Sequence, residues 1–194
     1  MKLLLCLALL AAPAKKPAAS GKDPVVVIST SMGDIKVQLD RKAAPISTEN
    51  FLKYVSEKHY DGTIFHRVIP KFMIQGGGFD EKLAQHGGTH EAIKNEAGNG
   101  LKNVVGTIAM ARTNVVDSAT DQFFINVNDN AFLDHRDDSQ RGFGYAVFGK
   151  VIKGLEVAKK IEATPTTTKP SADGMPLSDV PATTVTIKSI RLAK

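Results

Sequence analysis

"FHRVIPKFMIQGGGF", residues 65–79, decides the fold prediction for this chain. Two apolar runs rich in Phe, Val, Ile and Met flank Pro70-Lys71, a pattern typical of adjoining β-strands. Because alternate strand residues share a face, Arg67 is expected on the same face as Phe65 and Ile69. A permanently charged guanidinium there has two interpretations that the pattern alone leaves open. It either belongs to the wall of a binding pocket or extends to the rim of the fold and pairs with a surface carboxylate.

Strand patterns also occur on both sides of this run. "VVVIST" (25–30) and the alternating "IKVQLD" (35–40) predict an opening hairpin across the turn "SMGD". Later strand signals are "VVGTIAMA", "DQFFINV", "YAVFGKVI" and "TVTIKSIRL". Strands outnumber helices and do not alternate regularly with them, which favours a mainly β fold, an antiparallel closed barrel, over a parallel α/β sheet.

Two segments have helical spacing. The first is "APISTENFLKYVSEKHY" (44–60), with Ser47 or Thr48 as the expected N-cap and Asp61-Gly62 as the end, and the second is "GLEVAKKIEA" (154–163). The Pro- and Thr-rich stretch at 164–184 predicts a long surface connection into the last strand.

The N-terminus, "MKLLLCLALLAAPAKKPAAS", has the layout of a secretory signal peptide: a basic start, a short apolar stretch and a small-residue cleavage site. We expect a signal and lead-in over residues 1–19, cleaved near Ala14 or Ala19, and an ordered domain over 25–194. The predicted location is therefore periplasmic or secreted. The apolar stretch is shorter than the roughly 20 residues of a membrane span, so no membrane attachment is expected after cleavage. Cys6, the only cysteine, would be removed with the signal.

The formal net charge of +5 does not predict a nucleic-acid partner. Lys2, Lys15 and Lys16 supply three of these charges within the expected signal and lead-in. The rest of the chain has no cluster of basic residues and no basic stripe with interleaved aromatics, so it lacks the electrostatic pattern of a nucleic-acid surface.

Other groups of reactive residue types receive structural interpretations. His86 and His90 have metal-ligand spacing only on a helix, which Gly87-Gly88 disfavours, so exposed loop histidines and no metal site are expected. His66 is interpreted as a hydrogen-bonded structural histidine.

Two further motifs are also set aside. Gly76–Gly78 lacks the Lys-Ser/Thr of a phosphate loop and is interpreted as the bend that ends a strand. Asp134, His135 and Ser139 match no catalytic triad pattern.

Several motifs together carry a family resemblance. They are the opening run, "GTIAMART" (106–113), "QFFIN" (122–126), "AFLDH" (131–135) and "GFGYAVFGKV" (142–151). In this order, the chain resembles the cyclophilins, a family of peptidyl-prolyl isomerases, and in particular their exported bacterial members, from about Val25 to the C-terminus. The resemblance implies an eight-stranded antiparallel β-barrel capped by two helices, activity without a cofactor, and a substrate groove on the outside of the barrel.

The resemblance also assigns roles to individual residues. Arg67 matches the catalytic arginine, Gln75 is expected to orient it, and Phe72 completes the catalytic set. Phe72, Met73, Phe124 and Leu133 match the positions that hold the proline ring. The expected substrate-binding set is Met73, Ala111, Arg112, Gln122, Phe124, Phe132, Leu133 and Tyr145.

The chemistry of proline isomerisation suits these residue types. Rotation about an X-Pro bond must overcome a barrier of about 18–20 kcal/mol because amide resonance is lost. In the twisted transition state the proline nitrogen regains a lone pair, so a donor aimed at it stabilises that state more than the substrate. Arg67 is a donor at every relevant pH.

Four positions differ from residues that are common in the family. Phe132 stands where many eukaryotic members have tryptophan, which removes an indole N–H and predicts weak cyclosporin binding. Tyr145 replaces a frequent histidine and Arg112 a frequent asparagine, which changes the edges of the groove. Lys71 replaces a common glycine and predicts a turn without positive φ.

Two function classes follow. The first is an isomerase that assists the folding of exported proteins, a monomer whose partners are proline-containing unfolded or folding polypeptides. The second is a proline-peptide binding module or holdase without meaningful turnover. Arg67 favours the first, because binding alone does not need a donor over the proline nitrogen.

Overall fold

The computed structural model describes residues 23–193, and the predicted signal peptide and lead-in (1–19) therefore lie outside the described residues. The described chain forms a closed barrel of eight strands in which every neighbouring pair is antiparallel. The predicted eight-stranded barrel with two helices is confirmed. The barrel strands are Val25–Thr30 (β1), Gly33–Leu39 (β2), Thr63–Ile69 (β3), Met73–Asp80 (β4), Thr107–Met110 (β5), Phe123–Asn126 (β6), Val147–Lys153 (β7) and Thr186–Leu192 (β10).

Strand order around the barrel is β1-β10-β3-β4-β6-β5-β7-β2, and β2 pairs with β1 in the predicted opening hairpin. The barrel interior is filled by apolar side chains, which we call the inner cluster. Its largest members include Phe51, Phe65, Phe123 and Phe148, each fully buried. The Phe51 ring meets the Phe123 ring edge to face with centroids 5.5 Å apart. Its centroid also lies 5.2 Å from that of Tyr60 and 5.3 Å from that of Phe148. The interior is therefore a packed core without room for a ligand.

The two α-helices are Pro45–Ser56 (α1) and Leu155–Glu162 (α2). The expected N-cap at Ser47 or Thr48 is wrong, because α1 begins at Pro45, whose fixed φ suits the first helical position. The Glu96 carboxylate accepts hydrogen bonds from the backbone N–H groups of Ile46 (3.0 Å) and Ser47 (2.7 Å). A side chain distant in sequence thus satisfies the helix end. The helix also ends before the predicted Asp61-Gly62, at Ser56, and turns lead on to Gly62.

The surface connection predicted at 164–184 is only partly right, since it contains a two-stranded hairpin of Thr166–Pro170 (β8) and Pro176–Pro181 (β9). Its prolines occupy strand ends, where a missing N–H interrupts little of the ladder. The hairpin lies outside the barrel sheet and packs beside β3. It brings residues from near the C-terminus to the strand that carries Arg67.

A register shift in the β3–β4 pair overturns part of the predicted faces: Arg67 and Ile69 lie on the same outer face, as expected, but Phe65 does not. Phe65 pairs with Gly76 and Arg67 with the next residue, Gln75, so β3 has one residue more than its partner. This β-bulge at His66 breaks the alternation. Phe65 points into the inner cluster, as does Val68, while Arg67 lies on the outside of the barrel. The arginine therefore does not share a face with Phe65.

The glycine run was predicted to end a strand, but it lies inside β4. Gly77 has φ of +94°, a conformation that disfavours other residues, and a Cβ at Gly78 would overlap the Gln122 side chain. The absence of a side chain at Gly78 therefore leaves room for the Gln122 side chain to lie against β4.

The prediction for Lys71 is also wrong, because its φ is +58°. Phe72 N–H bonds to Ile69 O at 3.2 Å, with Pro70 and Lys71 at the centre of the turn. A turn with proline followed by positive φ normally favours glycine at the second central position. Here the Lys71 N–H donates to Glu162 Oε1 of α2 at 2.6 Å, which contributes to holding the strained residue.

Candidate active site

The candidate site lies on the outer wall of the barrel, where β4, β5 and β6 present a second apolar group. We call this group the outer cluster: Met73, Ala109, Phe124, Leu133 and Val147, all buried, with Phe72, Ala111 and Tyr145 packed against it. A cavity of about 110 Å³ opens over it, and we call it the proline pocket after the role that the family resemblance predicts for its wall. Its lining combines aliphatic and aromatic surface with two guanidinium groups and one carboxamide. The lining residues are Arg67, Phe72, Met73, Gln75, Ala111, Arg112, Phe124, Leu133 and Tyr145.

Nine of the eleven predicted site residues thus line one cavity, and the other two lie at its margins. Phe132 is 65% exposed and stacks against Phe72 with ring centroids 5.4 Å apart. Gln122 accepts a hydrogen bond on Oε1 from Gln75 Nε2 at 3.0 Å. The carboxamide of Gln75 is therefore hydrogen-bonded to Gln122, just before β6, and not to Arg67.

The Arg67 side chain is 42% exposed at the mouth of the proline pocket. Its Nε lies 3.6 Å from Asp179 Oδ2, on β9 of the added hairpin. Within residues 23–193, no hydrogen bond joins Arg67 to Gln75, the residue expected to orient it. Asp179 has a φ of +61°, an uncommon backbone conformation for a residue other than glycine. The carboxylate contact engages Nε, the inner nitrogen of the guanidinium, and not its two terminal nitrogens.

Buried asparagines support the apolar wall from behind. Asn130 Nδ2 donates to Phe72 O (2.9 Å) and to Asn126 Oδ1 (2.7 Å), and Asn126 Nδ2 donates to Asn103 Oδ1 (3.2 Å). Asn103 Nδ2 in turn reaches Leu133 O at 3.2 Å. The network links the backbones of Phe72 and Leu133 through hydrogen-bonded amides, an arrangement that rigidifies a site. No sequence motif pointed to these asparagines: Asn126 ends the strand "FFIN" and Asn130 follows it, whereas Asn103 lies in a separate segment before β5.

Arg112 and Tyr145 form the opposite edge of the proline pocket. Arg112 Nε donates to Gly144 O at 3.0 Å, and its guanidinium carbon lies 4.7 Å from the centre of the Tyr145 ring. Tyr145 also meets Phe124 edge to face at 5.8 Å. Backbone and ring contacts therefore hold this arginine, in contrast to the ion pair that holds Arg67.

Comparison with known proteins connects this geometry to a family. The model of the family "Cyclophilin type peptidyl-prolyl cis-trans isomerase/CLD" matches residues 25–192. The chain belongs to the cyclophilin family.

Relatives and solved structures agree with this assignment. Peptidyl-prolyl cis-trans isomerase A of Dickeya dadantii is 53% identical over 169 residues, covering 87% of this chain and 84% of that protein. Peptidyl-prolyl cis-trans isomerase B of Escherichia coli is 48% identical over 163 residues, covering 84% and 99%. A cyclophilin of Cryptosporidium parvum, crystallised in the presence of the dipeptide Ala-Pro, has a TM-score of 0.67 at 27% identity, covering 88% and 99%. The chain is therefore a cyclophilin-type peptidyl-prolyl isomerase.

His66 of this cyclophilin does not have the hydrogen bonds predicted for it. The side chain is buried against Phe79, with ring centroids 4.6 Å apart, and Nδ1 has no partner. Burial, reinforced by the neighbouring Arg67 charge, lowers the pKa of His66 to about 4. The imidazole is thus neutral near pH 7. Its place in the β-bulge, between the strand's two faces, explains why alternation could not assign its contacts.

The two loop histidines of the cyclophilin are held by neighbours. His90 Nε2 lies 2.7 Å from Glu57 Oε2, and the His86 ring meets His59 edge to face at 4.7 Å. Over residues 23–193 the structure brings together no group of three or more His, Cys, Asp or Glu side chains suited to a metal ion. None of the described helices is long and apolar enough to cross a bilayer.

Proposed function

We propose that this cyclophilin isomerises X-Pro bonds in the proline pocket, with Arg67 as the catalytic donor. The observation that carries the proposal is one cavity in which the guanidinium of Arg67 faces the apolar wall of Met73, Phe124 and Leu133. A proline ring held on that wall places its nitrogen near the terminal N–H groups of Arg67. The pocket itself fixes one side of the bond while the other side turns.

The donor acts on the transition state more than on the substrate. In the planar ground state the proline nitrogen shares its lone pair with the carbonyl and accepts hydrogen bonds poorly. Twisting the bond localises that lone pair, so a donor already in position becomes more favourable during rotation. The apolar surroundings strengthen the hydrogen bond by excluding water.

Asp179 and Gln75 have different supporting roles in this proposal. Asp179 contacts Arg67 Nε and turns the terminal nitrogens toward the pocket, whereas Gln75 and Gln122 form a linked pair along its side. Phe72 closes the ring-binding wall, its backbone held by Asn130.

The biological role proposed for the isomerase is to assist the folding of exported proteins. Support comes from the signal-like N-terminus and from the breadth of the pocket's mouth, which leaves the Arg67 side chain 42% exposed for a polypeptide to approach. Its partners are then proline-containing unfolded or folding polypeptides, and the protein acts as a monomer. Cyclosporin binds weakly because Phe132 offers no N–H at the groove edge.

The catalytic proposal is tested with a short Ala-Pro peptide in a protease-coupled assay. Arg67→Ala is expected to lower kcat/KM by about 100- to 1000-fold, the usual cost of one preorganised transition-state donor. Arg136→Ala, an exposed arginine outside the pocket, is the matched control and is expected to keep wild-type kcat/KM. Circular dichroism checks that both variants keep the fold. Equal, measurable rates for wild type and Arg67→Ala would contradict Arg67 as the catalytic donor, and absence of turnover by the wild type would favour the holdase.

The export proposal needs a separate measurement. The intact mass of the protein recovered from the periplasm or medium of a bacterial host is expected to match cleavage near Ala14 or Ala19. Recovery only from the cytoplasm, with residues 1–19 retained, would contradict it.

A further inference from the structure

A second cavity opens beside the proline pocket and shares two of its walls. It has a volume of about 460 Å³, compared with about 110 Å³ for the proline pocket. Its lining is Arg112, Asn114, Gln140, Arg141 and Tyr145, of which Arg112 and Tyr145 also line the proline pocket. A polypeptide seated by its proline therefore meets this second cavity within one or two residues, since an extended chain advances about 3.3–3.6 Å per residue.

Hydrogen bonds between two loops hold the second cavity in shape. Arg112, on the loop after β5, donates from Nε to Gly144 O (3.0 Å) and from Nη2 to Gln140 O (3.4 Å). Gln140 Nε2 donates back across the gap to Asn114 O at 2.7 Å. The loops at 111–118 and 134–144 are thus joined to each other, and the walls are in place before any ligand arrives. Preorganised walls lower the entropic cost of binding.

The lining is positively charged. It contains two arginines and no carboxylate, and within residues 23–193 neither Arg112 nor Arg141 has an ion-pair partner. The donors of Arg112 are directed at backbone carbonyls, whose partial charges do not neutralise it. The residues that line the cavity therefore carry a net positive charge next to the substrate groove.

Donors without a partner also line the second cavity. Among the described residues, the Arg141 guanidinium, the Asn114 amide nitrogen and the Tyr145 hydroxyl make no hydrogen bond, and Arg141 is exposed. A planar guanidinium matches a carboxylate, with which it forms paired hydrogen bonds. An amide N–H and a phenol add further donors to the same kind of acceptor.

We propose that the second cavity binds the side-chain carboxylate of an Asp or Glu within two residues of the substrate proline. The inference rests on the proposed function, since it names a class of substrate for the same groove. Arg141 is its specificity-determining residue: it contacts the carboxylate, while Arg112 supplies charge from the shared wall. Substrates with an acidic residue within two positions of proline are therefore isomerised faster than those without one.

The experiment uses unmodified peptides, each with one proline and a Glu at one of the two positions before or after it. Each Glu peptide is paired with a Gln peptide of the same length. Exchange NMR gives kcat/KM, and chemical-shift titration gives Kd, for wild type, Arg141→Gln and Arg136→Gln. Arg136 lies in the same loop but does not line the cavity, so its variant removes an equal charge without removing the contact.

At low salt, at least one position is expected to favour Glu over Gln by about two- to fivefold in wild type, the range of a partly exposed ion pair. Arg141→Gln abolishes the preference, Arg136→Gln keeps it, and high salt reduces it through screening. No Glu preference at any position, or the same preference in Arg141→Gln, would overturn the inference. Absence of turnover on the Gln peptides would contradict the proposed function instead, and the Kd ratios would still decide the carboxylate site.

Discussion

The inner and outer clusters share strands β4, β5 and β6 but differ in how their side chains are enclosed. In β4, β5 and β6, Ile74, Ile108 and Ile125 point into the barrel and are completely buried, while their neighbours Met73 and Phe124 point outward. The inner side chains are enclosed on every side by the closed sheet. The outer ones are covered by loop residues that include Leu133, Phe72 and Tyr145, and they border a cavity.

The difference shows which apolar residues serve stability and which serve binding. A closed antiparallel barrel needs only one apolar face, and the other normally carries polar residues. Strands that are apolar on both faces therefore place apolar surface where something else must cover it. In this isomerase the second face has charged and polar groups at its rim, a combination that suits a ligand.

Neighbouring phenylalanines of β6 test this comparison most strongly. Phe123→Ala, in the inner cluster, is expected to lower the free energy of unfolding by about 3–5 kcal/mol, because the closed barrel cannot fill the void. Phe124→Ala, in the outer cluster, should cost less stability, since water enters from the pocket, but should lower kcat/KM on an Ala-Pro peptide by raising KM. Urea unfolding and the protease-coupled assay measure the two effects. Equal stability losses with unchanged kinetics would remove the distinction between the clusters.

His66, at the bulge between the two faces, is expected to make stability depend on pH. Its pKa is lowered to about 4 in the folded protein, so as pH falls below about 6.5 the unfolded chain takes up a proton that the folded protein refuses. The free energy of unfolding is therefore not reduced by His66 above pH 6.5, and it falls by about 3 kcal/mol as the pH is lowered toward 4.

Urea unfolding at a series of pH values measures this loss. In His66→Phe, which keeps an aromatic ring beside Phe79, the difference from wild type should change across this range by the same amount. Parallel pH profiles for the two proteins would rule out His66 as the cause.

Phe132, the most exposed residue of the groove, tests the outer rim. Phe132→Trp adds an indole N–H, and cyclosporin affinity is expected to rise by about fivefold to tenfold, the value of a hydrogen bond worth about 1 kcal/mol. The chain has no other tryptophan, so its fluorescence reports binding in the variant, and calorimetry compares both proteins. Phe132→Tyr is the control for ring size. A nanomolar cyclosporin constant for the wild type would contradict the proposed weak binding.

Asp179 has the smallest expected effect, because its ion pair with Arg67 is partly exposed. Asp179→Asn, which tolerates positive φ, should lower kcat with little change in KM, by an amount equivalent to about 0.2–1 kcal/mol. In an Arg67→Ala background the same substitution should have no effect, which a purely structural role of the hairpin would not produce. Asp173→Asn, at the tip of the hairpin, controls for changes in hairpin stability. Additive effects in the double variant would exclude positioning of Arg67.

Sequence reasoning recovered the parts of this structure that depend on local periodicity. The barrel strands, both helices and the opening hairpin follow from the spacing of apolar residues, whereas β8 and β9 were not predicted, and the motifs around Arg67 and "QFFIN" identified the outer groove. The bulge at His66 was missed because an extra residue is defined only against the partner strand. The strained turn at Lys71 was missed because its support comes from Glu162 in α2.

Long-range partners account for the remaining errors. Glu96 caps α1 and Asp179 contacts Arg67, yet neither residue has a local pattern that points to its partner. The family resemblance led us to expect Gln75 to orient Arg67, but the Gln75 side chain pairs with Gln122, the residue just before β6. Such contacts are consequences of topology.

The pairing of β1 with β10 gives the ring a seam. The first and last strands of the barrel lie side by side, and Ala193 N–H bonds to Val25 O at 2.8 Å. A growing chain therefore cannot close the ring until β10 has been synthesised. Neighbouring ends also permit the order of the chain to be changed. A circular permutant could join residue 193 to residue 25 and open at the exposed tip of the β8–β9 hairpin. In it, β10 and β1 would form one continuous hairpin, so their pairing would become local in sequence and faster to form.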